Sequence, residues 1–288
     1  MALAPHGPAV HDVDEPRPLR AVGDVGSVRL TWREVPGASG YRVHGVATPR
    51  TGSWEPDERN LLATHAEPRF VHDGLGPLAV NWSYAVVPVL DHPVPPLGAV
   101  TVSTRTSVTV TGEPVATVGS FDGSGLELAL APTGFVHYRS TFPRDVDFRY
   151  GYDRADVTWS YLQPGPDDAW AGRRGHRFRL RFDLDRLPAA DLDFALWLVD
   201  RHATRAGSAT LVLNGDTEQT IFFDDPVARD RPPASDASAA VPGLGGGPAY
   251  IERTVDRRCL QVGENTIDVV KDHGSWIAYD AVGVFARR

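Results

Sequence analysis

The segment VVKDHGSW places Lys271, the only lysine of the chain, two residues before His273. An amine and an imidazole so close could take and return a proton, provided the amine is held neutral near pH 7. The pair falls between two alternating apolar stretches, so it is expected in a turn, solvated and without a catalytic part, and replacing Lys271 by alanine is expected to leave the fold intact. Asp167 and Asp168, in PGPDDAW, form a second pair. Two carboxylates serve glycoside hydrolysis only at a set separation in space, and the flanking Pro and Gly mark these two as loop acids. The ten histidines show no H-x-x-x-H spacing, and Cys259 is the only cysteine. An intrachain disulfide, a cysteine metal cage and a redox pair are thereby excluded. Asp145, Asp147, Asp153 and Asp156 gather in PRDVDFRYGYDRAD without EF-hand spacing. The expectation there is a solvated acidic loop, with a structural calcium ion as the alternative; no other cofactor is expected.

Six aromatic residues fall within FRYGYDRADVTWSYLQPGPDDAW, residues 148–170, in a chain that averages 9% aromatic. Such rings either pack a core or stack on the apolar C–H faces of a sugar. Period-two alternation predicts a strand with Val157, Trp159 and Tyr161 on one face, which favours core for Trp159. Tyr152 and Trp170 lie beside Gly and Asp in predicted loops, and Trp276 follows Gly274 closely. These three rings are therefore expected to be exposed and are the candidate carbohydrate-binding residues.

The elements that would carry them are strands. The chain has 288 residues, 42% of them hydrophobic, enough for two domains with separate cores. Its 28 Gly and 24 Pro punctuate short apolar runs, and no run reaches the ~20 residues of a membrane span. The net charge of −8 argues against a partner bound through its phosphate backbone. GSVRLTW puts Val28, Leu30 and Trp32 on one face, and NWSYAVVPV does the same for Trp82, Tyr84 and Val86. HRFRLRFDL sets His176, Phe178, Leu180, Phe182 and Leu184 against Arg177, Arg179, Arg181 and Asp183, the pattern of a half-buried antiparallel strand. ATLVLNG ends at the turn pair Asn214 and Gly215. DPVARDRPPASDASAAVPGLGGGPA reads as a long loop. The N-terminal stretch, residues 1–15, reads as a flexible lead-in without the features of a signal peptide.

PRPLRAVGDVGSVRLTWREVPGASGYRV, with GLGPLAVNWSYAVVPV, resembles a fibronectin type III domain over residues 16–112. Trp82 stands where such domains often carry the tyrosine of a tyrosine corner. The ordered set FDGS, DFRYGYDRADVTWSYLQPG, HRFRLRFDL, LDFALWLVD, ATLVLNG, YIERTV, LQVGENTIDVV and WIAYDAVGVFA is similar to the C-terminal domain of rhamnogalacturonan lyases of polysaccharide lyase family 4, over residues 115–287. The resemblance implies an all-β chain: a fibronectin type III-like sandwich followed by a jelly-roll, galactose-binding-like sandwich. In those lyases a catalytic domain precedes both parts, and no counterpart to it is legible here. The resemblance thus implies a non-catalytic module pair that binds or positions pectic polysaccharide outside the cell, with a catalytic lyase domain or protein as its partner. A lyase fragment and a ligand-free spacer are the alternatives. No nucleic-acid or membrane partner is expected.

Overall fold

The computed structural model describes residues 19–48, 54–223 and 246–288. The lead-in and most of the long Gly/Pro/Ala loop expected from the sequence lie outside the described residues. The chain divides into two compact units. One comprises residues up to Gly23, Val28–Val71 and Val80–Ser103; the other comprises Asp24–Ser27, His72–Ala79 and Thr104–Arg288. Nearly everything regular is β-structure, as the alternation predicts.

In the first unit, strands β1 (Arg20–Asp24), β2 (Ser27–Thr31) and β5 (Arg69–His72) form one sheet in the order β1-β2-β5. Strands β3 (Gly40–Thr48), β4 (Leu61–His65), β6 (Asn81–Val89) and β7 (Ala99–Ser103) form another, ordered β4-β3-β6-β7. Val28, Leu30 and Trp32 are buried together with Tyr41, Val43, Tyr84 and Val86. Trp32 meets Tyr41 edge-on at 5.2 Å, and the Tyr41 phenol oxygen accepts from the Val35 N–H at 2.8 Å. Trp82 is only half-buried and stacks beside Tyr84 at 6.0 Å.

The second unit begins with β8 (Glu113–Gly119). One sheet runs β10 (Leu162–Gln163), β17 (Ile277–Ala286), β12 (Leu192–Arg201), β15 (Ala249–Val255), with β8 also on β17. The other runs β14 (Thr217–Phe222), β13 (Ser208–Leu213), β16 (Gly263–His273), β11 (His176–Leu184), β9 (Val146–Arg149). Pairing is antiparallel except that β9 joins β11 in parallel. On β11 the alternation runs from His176 to Phe182: His176, Phe178, Leu180 and Phe182 are buried, while the three intervening arginines are half-buried on the other face. Their inner partners include Phe194, Leu196, Ile267, Val269, Val282 and Val284 in one continuous core.

Two local expectations are corrected. Residues 155–158 are a single helical turn rather than a strand, which leaves Val157 61% exposed while Trp159 is 1% exposed. Lys271 is not in a turn: it lies on β16, fully buried. Strand β16 runs on through His273, so the pleat turns Lys271 inward in phase with Ile267 and Val269. Its Nζ donates to the carbonyl oxygens of Ser208 and His273.

A second buried polar side chain ties the sheets together. Gln163, on β10, is fully buried; its amide donates to the carbonyls of His176 and Val269 on the opposite sheet, both at 2.8 Å. Its side-chain oxygen accepts from the Tyr279 hydroxyl at 2.6 Å. Replacing Gln163 by leucine would leave a phenol and two carbonyls buried without that partner, at about 1–3 kcal/mol for each unsatisfied group. We therefore expect Gln163→Leu to lose at least about 2 kcal/mol of unfolding free energy in urea, despite its gain in hydrophobicity. A neutral result would overturn the expectation that the lost bonds outweigh the gained apolar burial.

Candidate functional site

Of the six rings in residues 148–170, most are committed to packing. Phe148 and Trp159 are buried; Trp159 meets Phe178 and Tyr279 edge-on at 5.2 and 5.4 Å. Tyr161 is half-buried against the same core. The exceptions are Tyr150 and Tyr152, 40% and 75% exposed. They sit on the turn that follows β9, where Gly151 takes a φ of 80° that an L side chain would strain. The turn is closed by the Arg149 carbonyl, which accepts from Tyr152 and Asp153, and by the Asp153 carboxylate, which accepts from the Arg149 N–H at 2.7 Å. The Arg149 guanidinium lies 4.6 Å from the Tyr152 ring centre. The cation covers one face of a ring that is otherwise largely exposed, a contact worth about 0.5–1 kcal/mol at an exposed site.

The three candidate rings do not converge. Trp170 lies half-buried between Phe135 and Tyr138, at 5.5 and 5.8 Å. Trp276 is fully buried in a small cluster with Leu162 and Ala278, against which Trp170 also packs. The expected exposure of Trp276 is thus corrected. Its neighbour Gly274 marks a close crossing of chains, not an open loop: a Cβ there would come within 2.6 Å of the Arg205 carbonyl, and one on Gly165 within 2.2 Å of the Gly274 carbonyl. That crossing folds residues 274–276 back onto the sandwich and carries the indole inward.

The acids read as loop residues are engaged as well. Asp168 is buried and accepts from Ser275 Oγ at 2.6 Å and from the Gly165 N–H at 2.8 Å. Burial raises its carboxyl above the usual range, against the pull of those bonds and of the Lys271 charge. Asp145 pairs with Arg174, Asp147 with Arg181 and Asp156 with Arg154, while Asp153 closes its turn. Among the described residues, no three His, Cys, Asp or Glu side chains gather as metal ligands. His273 is exposed and meets Asp272 at 3.0 Å, whereas the Lys271 amine is buried, so the two do not face one opening.

The outer face of the β9-β11-β16 sheet is a lattice of ion pairs. Arg179 grips Asp268 through two bonds of 2.6 Å, and Arg181 grips Asp147 at 2.5 and 2.6 Å while reaching Glu264 at 2.8 Å. Arg149 meets Asp183 at 3.2 Å. The Arg181 bonds hold the Asp147 carboxyl below its ordinary range. Beyond Glu264 the face opens into a groove of about 510 Å³ lined by residues including Asn214, Asp216, Thr217, Arg258, Gln261 and Thr266. Sequence reasoning missed this groove, because its walls come from the β13–β14 turn and from residues 258–266, far apart in the chain. Arg258 at its rim is clamped on Asp256, whose carboxyl those bonds bring down to about 2.

No family model and no curated protein matches the sequence. Solved structures show distant likeness. A family 35 carbohydrate-binding module from an environmental isolate is 16% identical, over 38% of this chain and 66% of that one, with a TM-score of 0.27. A GH26-CBM35 β-(1,4)-mannanase of Podospora anserina is 18% identical, over 40% and 19%, with a TM-score of 0.22. A β-porphyranase of glycoside hydrolase family 86 from Bacteroides plebeius is 10% identical, over 96% and 37%, with a TM-score of 0.29. The chain thus spans less than two thirds of each, and likeness at this level assigns neither ligand nor activity.

Two buried titratable groups give the second unit opposing pH responses. Burial pushes Asp280 up to about 6, against the Gly123 N–H bond, and the charge of Asp122 adds to the rise. Burial pushes His176 down to about 4, and Arg174 adds to the fall. A carboxyl raised on folding costs stability as pH rises through about 6; an imidazole lowered on folding costs stability as pH falls from about 6.5 toward 4. Relative to the parent, Asp280→Asn should therefore gain stability between pH 4 and 6, and His176→Gln should lose it over the same rise. Urea midpoints at three pH values test both signs. Trp276→Ala should cost about 3–5 kcal/mol, as truncation of a buried indole does. Tyr152→Ala should change stability by no more than about 0.5 kcal/mol; equal losses for both would refute the assignment of one ring to packing and the other to the surface.

Proposed function

We propose that this chain is a non-catalytic carbohydrate-binding protein whose contact surface is the turn bearing Tyr150 and Tyr152 with the charged sheet face beside it. The exposed, cation-backed Tyr152 ring carries the reading. Pyranose C–H faces stack on such rings, and a sugar's hydroxyls bond to flanking guanidinium and carboxylate groups. The non-catalytic part is supported by the buried Lys271 amine and by its separation from His273. The finer reading from the resemblance belongs to the same proposal: two modules, near residues 16–112 and 115–287, that act outside the cell on pectic polysaccharide. The strand orders β1-β2-β5 and β4-β3-β6-β7 support a fibronectin type III-like first module. Among the described residues, no helix is long and apolar enough to cross a membrane.

The test is binding and turnover on the same preparation. We expect retention by a polysaccharide in affinity electrophoresis with no ultraviolet-absorbing unsaturated uronate released, and a loss of roughly fivefold in affinity for Tyr152→Ala, the worth of one stacked ring. Product formation, or full affinity in the Tyr152 variant, would overturn the proposal.

A further inference from the structure

Resting on that reading, we propose that the ligand is an uncharged polysaccharide that crosses the strands, with Tyr152 at one end of its track and the groove beside Asp216 and Gln261 at the other. The contacts are continuous. Arg149 covers one face of Tyr152 at 4.6 Å and reaches Asp183 at 3.2 Å. Asp183 stands opposite Glu264 in the β11–β16 register, and Glu264 forms a wall of the groove, whose far side is the β13–β14 turn. The path runs from β9 over β11 and β16 to β13, three strand spacings or about 14 Å. That length calls for several linked sugars rather than one. Walls of this kind suit hydroxyls: Gln261 and Glu264 are exposed, and Asp216 stands at the exposed turn.

Charge selects the class of chain. Arg149, Arg181 and Arg258 each hold a carboxylate already, through Asp183, through Asp147 with Glu264, and through Asp256. Asp216 adds another acid to the groove. Carboxylates therefore outnumber guanidinium groups along the track, and a polyuronate would have to compete for bound arginines while facing like charge. A neutral sugar needs no such exchange, because its hydroxyls donate to the carboxylates in place. Pectins contain neutral side chains as well as uronate backbones, so this choice narrows the pectic reading.

The experiment uses the full chain against galactan, arabinan, xyloglucan and galactomannan as neutral probes, with polygalacturonate and rhamnogalacturonan backbone as acidic ones. We expect retention by a neutral probe, affinity that rises from its disaccharide to its hexasaccharide, and little response to added salt. Asp216→Ala and Gln261→Ala should each weaken binding several-fold, with circular dichroism and thermal midpoint unchanged. Binding to no probe would remove the proposed function itself. Tighter binding to an acidic probe, or loss in Tyr152→Ala without loss in either groove variant, would leave carbohydrate binding standing and overturn this inference.

Discussion

The amide of Gln163 reaches across the apolar interior of the second unit and spends both its protons on backbone carbonyls of the opposite sheet. An amide in such a place is costly unless every bond is made, so its partners must arrive together. Tyr279 supplies the remaining bond, and its ring in turn stacks on Phe178 at 5.6 Å and holds Trp159 edge-on. This one side chain thereby links β10 and β17 on one sheet to β11 and β16 on the other. The strand that carries it is only two residues long. Specificity of packing here comes from a polar contact, while the bulk of the burial energy comes from the hydrocarbon around it.

That division of labour shapes the surface. With β11 locked by its inner face, Arg179 stands opposite Asp268 on β16 and Asp147 on β9, and Arg181 reaches diagonally to Asp147 and Glu264. Each exposed pair contributes little to stability by itself. Collectively they cover the sheet face with a lattice of paired, half-exposed long side chains.

Much of this was legible in the sequence, and the failures share a cause. The strand alternation of β2 and β11 was read correctly because a period of two reports which face is buried, independent of tertiary detail. Lys271 and Asp168 were misplaced because residue type argued for solvent, whereas backbone phase and a few waiting carbonyl or hydroxyl partners argued for burial. Trp276 was misread because glycine has two meanings: it permits a turn, and it permits one chain to lie directly against another. The crossing of Gly165, Gly207 and Gly274 is the second kind, and nothing in the neighbouring residues announces it. Tyr152 was placed on a loop correctly, but Tyr150 and the groove beyond Glu264 were not foreseen, since both depend on which segments become neighbours.

The burial of Lys271 makes the chain chemically quiet toward acylating reagents at its one side-chain amine. An active ester can reach that nitrogen only when the structure around it opens, so the rate at which the modified residue accumulates is a clock for that opening. Because no second lysine competes for the reagent and the amide formed is not reversed, a single mass increment on the peptide containing Lys271 marks a molecule that has exposed that amine at least once. The residue whose type first suggested reactivity is thereby a built-in reporter of how long the folded state stays closed.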